Sequence, residues 1–386
     1  MFVAITNDPR PYAWGSHTAI AEALGREASG NPEAELWLGT HPGSPSKIAG
    51  APDAATLASR TTLPFLLKLL AADTPLSLQA HPTLVQAALG FAKENAAGVP
   101  LNASHRNYKD ALHKPELIFA LSNTFDALCG FRPLEDSREL ITRLRAIDDD
   151  ESSPLDDLLT RLTDLRKAFE WLLSGGPAVD AVVQRVAELA QATTDDDAAF
   201  ATVRLLATEY PGDAGIVISL LLNRVTLKRG EVLYLPAGNI HAYLHGLGVE
   251  LMAASDNVLR GGLTPKHVDV PELLTVLDFS PVPVPYLEPT TSDDTIAVYE
   301  PDVPDFVLAH VTGSAKYPLP GAAIVLVTDG TFTVKGARSK QTVSRGEALY
   351  VSSDELTLSV HGTGELFIAS THLPESEPEL EPSPSV

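Results

Sequence analysis

One short pattern occurs twice in this chain of 386 residues, and it constrains the fold more than any other feature. Residues 229–239 read RGEVLYLPAGN and residues 345–355 read RGEALYVSSDE, so the two copies share Arg-Gly-Glu and then Leu-Tyr. A turn that contains glycine, followed by alternating apolar residues, is typical of the entrance to a β-strand. The repeat therefore predicts two β units of the same design.

Strand-like sequence surrounds both copies. Most of residues 1–133 consists of short apolar stretches separated by Gly, Pro, Asn and Asp, and the strand pattern returns from Ile216. Residues 323–334 (AIVLVTDGTFTV) hold Asp-Gly between two apolar runs, which favours a β-hairpin. Such units recur in double-layered β-barrels. We therefore predict a mainly-β fold with a helical insertion, in which a cupin core (a double-stranded β-helix, or jelly-roll) is followed by a second cupin-like C-terminal β domain.

Residues 134–210 have a different periodicity. Apolar residues recur at helical spacing from Leu155 to Leu173, which predicts one amphipathic helix that Gly-Gly-Pro ends. A second helix is predicted over Val179–Leu189 and a third over Ala198–Tyr210. The expected domains are a catalytic cupin domain of residues 1–133 and 211–280, a helical insertion of residues 134–210, a C-terminal cupin-like domain of residues 281–372, and an acidic disordered tail of residues 373–386.

The composition excludes several classes of protein. Lys and Arg total 28 against 50 Asp and Glu, a formal net charge of −22, so we expect neither nucleic acid nor a membrane as a partner. Cys129 is the single cysteine, which rules out an internal disulfide and a cluster of zinc thiolates. No apolar run reaches the ~18 residues that cross a bilayer, and the first residues lack the layout of a secretory signal. We expect a cytoplasmic monomer, with oligomers left open.

The segment Leu76–Pro82 (LSLQAHP) carries the first candidate ligands. Strand alternation places residues 76, 78 and 80 on one face and Ser77, Gln79 and His81 on the other. A polar strand face must meet solvent, hydrogen-bond partners or a metal. Taken alone, Gln79 and His81 would be ordinary polar residues, and a glutamine-histidine pair with this spacing is weak evidence for a metal.

Two further segments supply side chains of the same kind. Residues 113–116 (HKPE) precede an apolar run, and the proline there fits a strand start or edge because it lacks the ladder donor. Residues 236–243 (PAGNIHAY) deliver a histidine after a glycine turn, whereas the second copy of the repeat has Thr357 at the corresponding position. One amide oxygen, two imidazoles and one carboxylate suit a zinc ion. These candidate ligands are Gln79, His81, Glu116 and His241.

With these motifs in place, the chain resembles the type I (zinc-dependent) mannose-6-phosphate isomerases, or phosphomannose isomerases. The resemblance covers almost the whole chain and rests on ordered motifs: YAWGS (12–16), ELWLGTHP (35–42), LSLQAHP (76–82), NYKD (107–110), HKPE (113–116), YPGD (210–213), PAGNIHAY (236–243) and SDNVLRGGLTPK (255–266). It implies one zinc ion per chain on the four candidate ligands. It also implies a hexose phosphate substrate and a role in mannose and GDP-mannose metabolism.

The implied reaction interconverts mannose 6-phosphate and fructose 6-phosphate by moving a proton between C1 and C2 through an enediol-like intermediate. The family's proposed catalytic arginine matches Arg260, whose permanent positive charge suits a developing oxyanion. The base stays open between Lys114, His113, Asp256 and a zinc-bound water. We expect Lys114 to act with Arg260, because positive neighbours would lower the pKa of a lysine. The expected substrate-binding residues are His113, Asp256, Tyr243 and Trp14.

One position departs from the family pattern. Many relatives carry an acidic or amide residue and then a lysine directly after His-Pro, whereas this chain has Thr83 and Leu84. The departure leaves the zinc ligands untouched. It makes the phosphate-binding residues uncertain.

Two other functions are compatible with a metal-binding cupin. Two histidines and a carboxylate also fit an Fe(II) or Mn(II) oxygenase or decarboxylase, which would need iron or manganese and would consume oxygen in the oxygenase case. A sugar-binding or storage cupin without catalysis would need neither Lys114 nor Arg260. The metal that supports activity and the effect of substituting those two residues distinguish the three readings.

Overall fold

The computed structural model describes residues 1–51 and 55–372. The predicted acidic tail therefore lies outside the described residues. Contacts divide the chain into two compact units. The larger unit comprises residues 7–46 and 56–288, and the smaller comprises residues 1–6, the segment around 47–55 and the chain from residue 289 onward.

The strands of the described chain are, in order, β1 (Phe2–Thr6), β2 (Glu35–Gly39), β3 (Lys47–Ile48), β4 (Phe65–Ala72), β5 (Leu78–Ala80), β6 (Glu116–Ala120), β7 (Thr124–Phe131), β8 (Leu222–Lys228), β9 (Val232–Leu235), β10 (His241–Ala253), β11 (Leu259–Gly262), β12 (Thr291–Ser292), β13 (Ile296–Tyr299), β14 (Val307–Val311), β15 (Ala315–Pro318), β16 (Ala323–Lys335), β17 (Lys340–Ser344), β18 (Ala348–Val351) and β19 (Thr357–Ser370). The prediction of a mainly-β fold with a cupin-type core is confirmed.

The helices are α1 (Ala19–Ala23), α2 (Leu84–Ala96), α3 (Leu134–Ala146), α4 (Pro154–Arg161), α5 (Leu165–Ser174), α6 (Pro177–Ala192), α7 (Ala198–Glu209), α8 (Gly215–Ile218) and α9 (Val270–Val276). Short 3₁₀ turns cover Leu57–Ser59, Ser219–Leu221 and Ser353–Glu355. Across the residues that the structure describes, none of these helices has both the length and the apolar character that crossing a bilayer requires.

Strand β10 is the centre of the larger unit. Its first residues pair with β5 and β7, and its later residues pair with β4 and β6. A bulge between Tyr243 and His245 separates the two halves, and Gly246 follows it with φ 129°. All of these pairings are antiparallel, and because β10 pairs with different strands in its two halves, it joins the strands of the larger unit into one sheet.

The helical layer covers the outer face of the strands that carry the candidate ligands. Leu78 and Ala80 of β5 belong to the same apolar cluster as Ile240 and Ala242, which flank His241, and α3–α8 supply most of the other members. Because side chains alternate along a strand, Gln79 and His241 point to the opposite, inner face. The predicted alternation holds for Gln79, but Leu76 precedes the strand and packs against the inner apolar cluster.

The predicted helix over residues 155–173 is wrong, because two helices occupy the segment. Helix α4 ends at Arg161, and Asp164 caps α5 by accepting a hydrogen bond from the Lys167 amide at 3.1 Å. This amide lies in the first turn of α5, where no carbonyl of the same helix is available to accept from it. In a continuous helix a carbonyl one turn earlier would accept instead, and no capping carboxylate would be needed. The apolar spacing continues across the break, so periodicity alone could not show it. The second and third predicted helices correspond to α6 and α7.

Three further predictions differ from the structure. Helix α2 lies within the region read as strands, where Thr83 and Gln86 form a capping box. The segment from Ile216 begins as helix α8, and the strand β8 starts only at Leu222. The predicted hairpin around Asp329-Gly330 is wrong, because both residues lie within the single strand β16. Gly330 at φ 73° adjoins a bulge there, which lets the strand bend without ending.

The smaller unit is also antiparallel. Its strands follow the order β12, β13, β14, β19, β16, β18, β1 and β3, and β15 and β17 pair with β19 and β16. The two copies of the repeat take the same form, since Gly230 (φ 90°) and Gly346 (φ 85°) each occupy a turn before a strand. Strand β1 pairs with β18, so residues 1–6 group with this unit and not with the catalytic domain to which residues 1–133 were assigned.

Helix α2 yields a prediction about stability. A Cβ atom on Gly90 would lie 2.2 Å from the ring of Tyr108, whose hydroxyl donates to Glu272 at 2.7 Å. We expect Gly90→Ala to lower the free energy of unfolding by about 1–3 kcal/mol through overpacking. Urea unfolding measures this. The exposed Ala88→Gly on the same helix should cost about 1 kcal/mol or less through propensity alone, and a Gly90→Ala protein as stable as the wild type would contradict the packing.

Candidate metal centre and adjoining cavity

Three buried side chains converge inside the larger unit. His81 Nε2 lies 3.3 Å from Glu116 Oε1, and His241 Nε2 lies 3.3 Å from Glu116 Oε2. The three side chains each have one potential ligand atom within 4.8 Å of the others. Among the described residues, this is the one group of three or more His, Cys, Asp or Glu side chains with such geometry.

The second ring nitrogen of each histidine fixes the direction of the first. His81 Nδ1 lies 2.8 Å from the carbonyl oxygen of Asn257, and His241 Nδ1 lies 3.0 Å from that of Asn239. A carbonyl only accepts, so both Nδ1 atoms carry the hydrogen and both Nε2 atoms present a lone pair toward Glu116. Both Nε2 atoms and Glu116 Oε2 are buried without a hydrogen-bond partner in the part of the chain that the structure describes. Buried polar atoms left in this state are expected to meet a further group.

The protonation states agree with a cation site. Burial, with Lys114 nearby, lowers the pKa of His81 to about 4, so the imidazole is neutral at pH 7. Burial alone would raise the pKa of Glu116, but Lys114 and His81 hold it well below its usual range. The site therefore offers a neutral imidazole at His81 and a carboxylate at Glu116, which are the forms that bind a metal.

Gln79 joins the same face from a neighbouring strand. On β5 it lies directly opposite His241 of β10 on one side and Arg260 of β11 on the other. Residues that face each other across an antiparallel pair project to the same side of the sheet. The predicted ligand Gln79 thus lies in register between His241 and the predicted catalytic Arg260.

A cavity of about 260 Å³ adjoins the group. Lys114 connects the two, because its Nζ donates to Glu116 Oε1 at 2.5 Å while the side chain lines the cavity. Of the predicted catalytic and substrate-binding residues, the cavity brings together Lys114, Arg260, Asp256 and Trp14. Burial lowers the pKa of Arg260, although a guanidinium stays charged at working pH.

Two predicted substrate-binding residues lie elsewhere. Among the described residues that line the cavity, neither Tyr243 nor His113 is present. Tyr243 is buried in the inner apolar cluster, where its ring packs edge-on against Phe125 at 5.3 Å. Burial raises the pKa of Tyr243, so its hydroxyl stays protonated. His113 is half-buried in the loop before β6. Contacts of either residue with substrate stay a prediction.

The structure adds a buried ion cluster that the sequence analysis missed. Lys68 Nζ lies 2.8 Å from Glu250 Oε2 and 3.4 Å from Glu35 Oε1, and Glu35 also accepts from Trp37 Nε1 at 2.9 Å. Burial would lower the pKa of Lys68, but the two carboxylates raise it. A lone lysine within the apolar strand FLLKLLAA was the available signal, because a buried cation needs a partner.

The cavity also contains Lys266, which lies at its exposed side. Burial, followed by the charge of Arg260, lowers the pKa of Lys266. Leu84, the position at which the sequence departs from the expected family pattern, is 51% exposed on α2 and is not among the described lining residues. Cationic side chains therefore reach the cavity from β4, from the segment before β6, from β11 and from the loop after β11, and among the described lining residues none comes from α2.

Known phosphomannose isomerases are similar in sequence to this chain over most of its length. The family model for phosphomannose isomerase type I, catalytic domain, matches residues 2–134. The mannose-6-phosphate isomerase of Escherichia coli (strain K12) is 36% identical in an alignment 389 positions long. The alignment covers 94% of this chain and 97% of that protein. The chain belongs to the type I phosphomannose isomerase family. The mannose-6-phosphate isomerase of Homo sapiens is 34% identical over 89% of this chain and 92% of its own length.

Solved structures of phosphomannose isomerases have the same fold. A zinc-bound holo form of mannose 6-phosphate isomerase superposes with a TM-score of 0.86 at 34% identity and covers 96% of this chain and 100% of its own. The apo form from Salmonella typhimurium superposes with a TM-score of 0.85 at 33% identity, over 96% of this chain and 99% of its own. The family membership inferred from the motifs is confirmed.

Cys129 gives a prediction about the inner face behind His241. It lies directly opposite His241 on β7, is fully buried, and burial raises the pKa of its thiol to about 12. We expect the native protein to resist iodoacetamide at pH 8 because the thiolate is the reactive form, and the unfolded protein to react fully. Mass spectrometry of the labelled chain measures both. Rapid alkylation of the native protein would show that this face is open to solvent.

Proposed function

We propose that this chain is a zinc-dependent aldose–ketose isomerase that interconverts mannose 6-phosphate and fructose 6-phosphate. The observation that carries the proposal is the convergence of three buried ligand atoms at the edge of a cavity lined by Lys114 and Arg260. The three ligand atoms form a cation site. Lys114 and Arg260 in the adjoining cavity provide groups that move protons and stabilise negative charge next to that site.

A zinc ion fits the residues present. His81, His241 and Glu116 would hold it, with the amide oxygen of Gln79 as the fourth ligand, and the unpartnered Nε2 and Oε2 atoms are the positions that a cation satisfies. The carbonyls of Asn257 and Asn239 keep both rings in the tautomer that binding needs. When bound, zinc supplies a Lewis acid that favours negative charge on a sugar oxygen.

Lys114 and Arg260 take the two roles that the reaction requires of the chain. Proton transfer between C1 and C2 needs a group that can exchange a proton at the reacting carbons, and we assign this role to Lys114. Its Nζ is held in place by Glu116 at the boundary between the metal site and the cavity. Arg260 lies on β11, which only β5 separates from the strand of His241. It presents a permanent positive charge to the oxygen on which negative charge develops.

The remaining lining residues suit the other parts of a hexose phosphate. Lys266 at the exposed side of the cavity offers a cation for the phosphate, a contact for which the sequence analysis left the residues uncertain. Asp256 can accept hydrogen bonds from sugar hydroxyls. Trp14, which stacks on Tyr12 with centroids 5.8 Å apart, offers an apolar face to the ring.

We further propose a cytoplasmic enzyme that acts as a monomer without nucleic acid or a membrane. The net charge of −22 repels polyanions and anionic lipid surfaces. A single buried cysteine suits a reducing compartment.

Removal of the metal tests the proposed function. Turnover of mannose 6-phosphate in a coupled assay should be lost after chelation and should return on addition of zinc, because the ligand atoms would lose the cation that they hold. Elemental analysis should find about one zinc per chain in the active protein. Full turnover by a sample verified to be free of metal would contradict the proposal. Restoration by iron together with oxygen consumption would favour an oxygenase instead.

Substitution of the two assigned catalytic residues tests their roles. Lys114→Met should lower kcat by about 10²- to 10⁴-fold through loss of proton transfer. Arg260→Gln should lower it by about 10²- to 10³-fold through loss of charge stabilisation. Steady-state kinetics measures both, and zinc content and thermal unfolding establish that the protein is intact.

Lys93→Met is the matched control, because this lysine is 78% exposed on α2 and makes a long contact of 3.8 Å with Glu272. It should leave kcat unchanged. Normal turnover by a folded, zinc-loaded Lys114→Met protein would eliminate this lysine as the proton carrier and leave Asp256 as the leading candidate.

A further inference from the structure

His41 is a buried histidine that the proposed reaction has not yet used. It follows β2 in the motif ELWLGTHP, is 4% exposed, and has no spacing that suggests a ligand. Its Nε2 lies 3.4 Å from Oδ1 of Asp256, a residue that lines the cavity but is distant in sequence. A contact between a buried ring and a residue of the active-site cavity is the starting observation.

The tautomer of His41 follows from its other nitrogen. The backbone N–H of Gly43 donates to Nδ1 at 3.1 Å, so Nδ1 is an acceptor and carries no hydrogen. In a neutral imidazole the hydrogen must then be on Nε2, which faces the Asp256 carboxylate. Burial lowers the pKa of His41, which keeps the ring neutral. His41 is therefore a fixed donor toward Asp256.

The surroundings hold this donor in one place. The ring of His41 packs edge-on against Trp37, with centroids 5.0 Å apart. A Cβ atom on Gly43 would lie 3.2 Å from His41 Nδ1 and 3.3 Å from Trp37, so glycine permits the close approach of the N–H. Trp37 is itself tied to Glu35 of the buried ion cluster. The imidazole has little freedom to turn away.

Asp256 is held from a second direction through its backbone. Its amide donates to Asp110 Oδ2 at 3.0 Å, and the neighbouring Ser255 hydroxyl donates to Asp110 Oδ1 at 2.8 Å. The carboxylate of Asp256 is nevertheless 51% exposed, toward the cavity. An exposed carboxylate rotates between staggered positions unless a neighbour selects one of them. The backbone anchor places the residue, and His41 selects the direction of the carboxylate.

We propose that His41 is a positioning residue, which holds the carboxylate of Asp256 in the orientation that contacts the sugar in the isomerase reaction. The inference rests on the proposed function and assigns a role to a histidine outside the metal site. It places the effect of His41 entirely on Asp256. Loss of the Nε2 donor should therefore impair turnover only when the Asp256 carboxylate is present.

The experiment compares four proteins by steady-state kinetics with mannose 6-phosphate. His41→Leu removes the donor and should lower kcat/KM by about 10- to 100-fold, the scale of a misplaced catalytic contact. His41→Gln keeps a donor near the position of Nε2 and should recover kcat/KM to within about threefold of the wild type. Asp256→Asn should be impaired, and His41→Leu combined with Asp256→Asn should be no worse than Asp256→Asn alone.

The control is His361→Leu, the same substitution at an exposed histidine of β19 in the smaller unit, which should leave kcat/KM unchanged. Zinc content and thermal unfolding are measured for every variant. Where Asp256→Asn gives no measurable turnover, the affinity for fructose 6-phosphate by calorimetry replaces kinetics in the double-mutant comparison. If His41→Leu fails to fold, His41→Asn replaces it, because asparagine also lacks a donor near the position of Nε2 and should give the same loss.

Three results would overturn the inference: normal kcat/KM for His41→Leu, equal impairment of the leucine and glutamine variants, or a further loss when His41→Leu is added to Asp256→Asn. The last two would show a structural role. Failure of the proposed function is seen separately, because the wild-type protein itself would not convert mannose 6-phosphate.

Discussion

The burial of the Glu116 carboxylate is the constraint on which the rest of the site depends. A fully buried carboxylate is unfavourable unless a cation or donor compensates it, and here Lys114 donates to it, while His81 and His241 face it with lone pairs that only a bound cation would satisfy. Each of the three comes from a different segment of the chain. The pairing of Glu116 therefore specifies how β6, β10 and the end of β5 come together, and the same pairing leaves the lone pairs of two imidazoles aimed at one point.

The helical layer makes such a polar interior possible. Strands β5 and β10 carry polar side chains on the inner face, so they can be stable only if the outer face buries enough apolar surface. Helices α3–α8 provide it by packing on Leu78, Ala80 and Ala242. The insertion thus contributes no residue to the metal group, yet it fixes the strands that do. Replacing the apolar residues of these helices would remove the packing on the outer face of β5 and β10, which holds Gln79 and His241 in position on the inner face.

The elements that could be predicted from the sequence are those with a local period. Alternation placed Gln79 on the inner face, and the repeat located two matching turns. The break before Asp164 was hidden because the apolar spacing of one helix continues into the next. His41 and Lys68 were missed for another reason: their partners, Asp256 and Glu250, are about two hundred residues away. Only the paired strands bring such residues together, and no single-sequence pattern encodes that contact.

An acidic chain that binds a phosphorylated sugar must overcome charge repulsion. With a net charge of −22, the long-range field repels a dianion, so the attraction must be local. Lys68 and Lys114 are already paired with carboxylates inside the cavity. Arg260 is different, because it forms no ion pair with any described carboxylate and burial is the cause that lowers its pKa, and Lys266 lies beside it. Among the described lining residues, the positive charge that no ion pair neutralises is thus concentrated at Arg260 and Lys266.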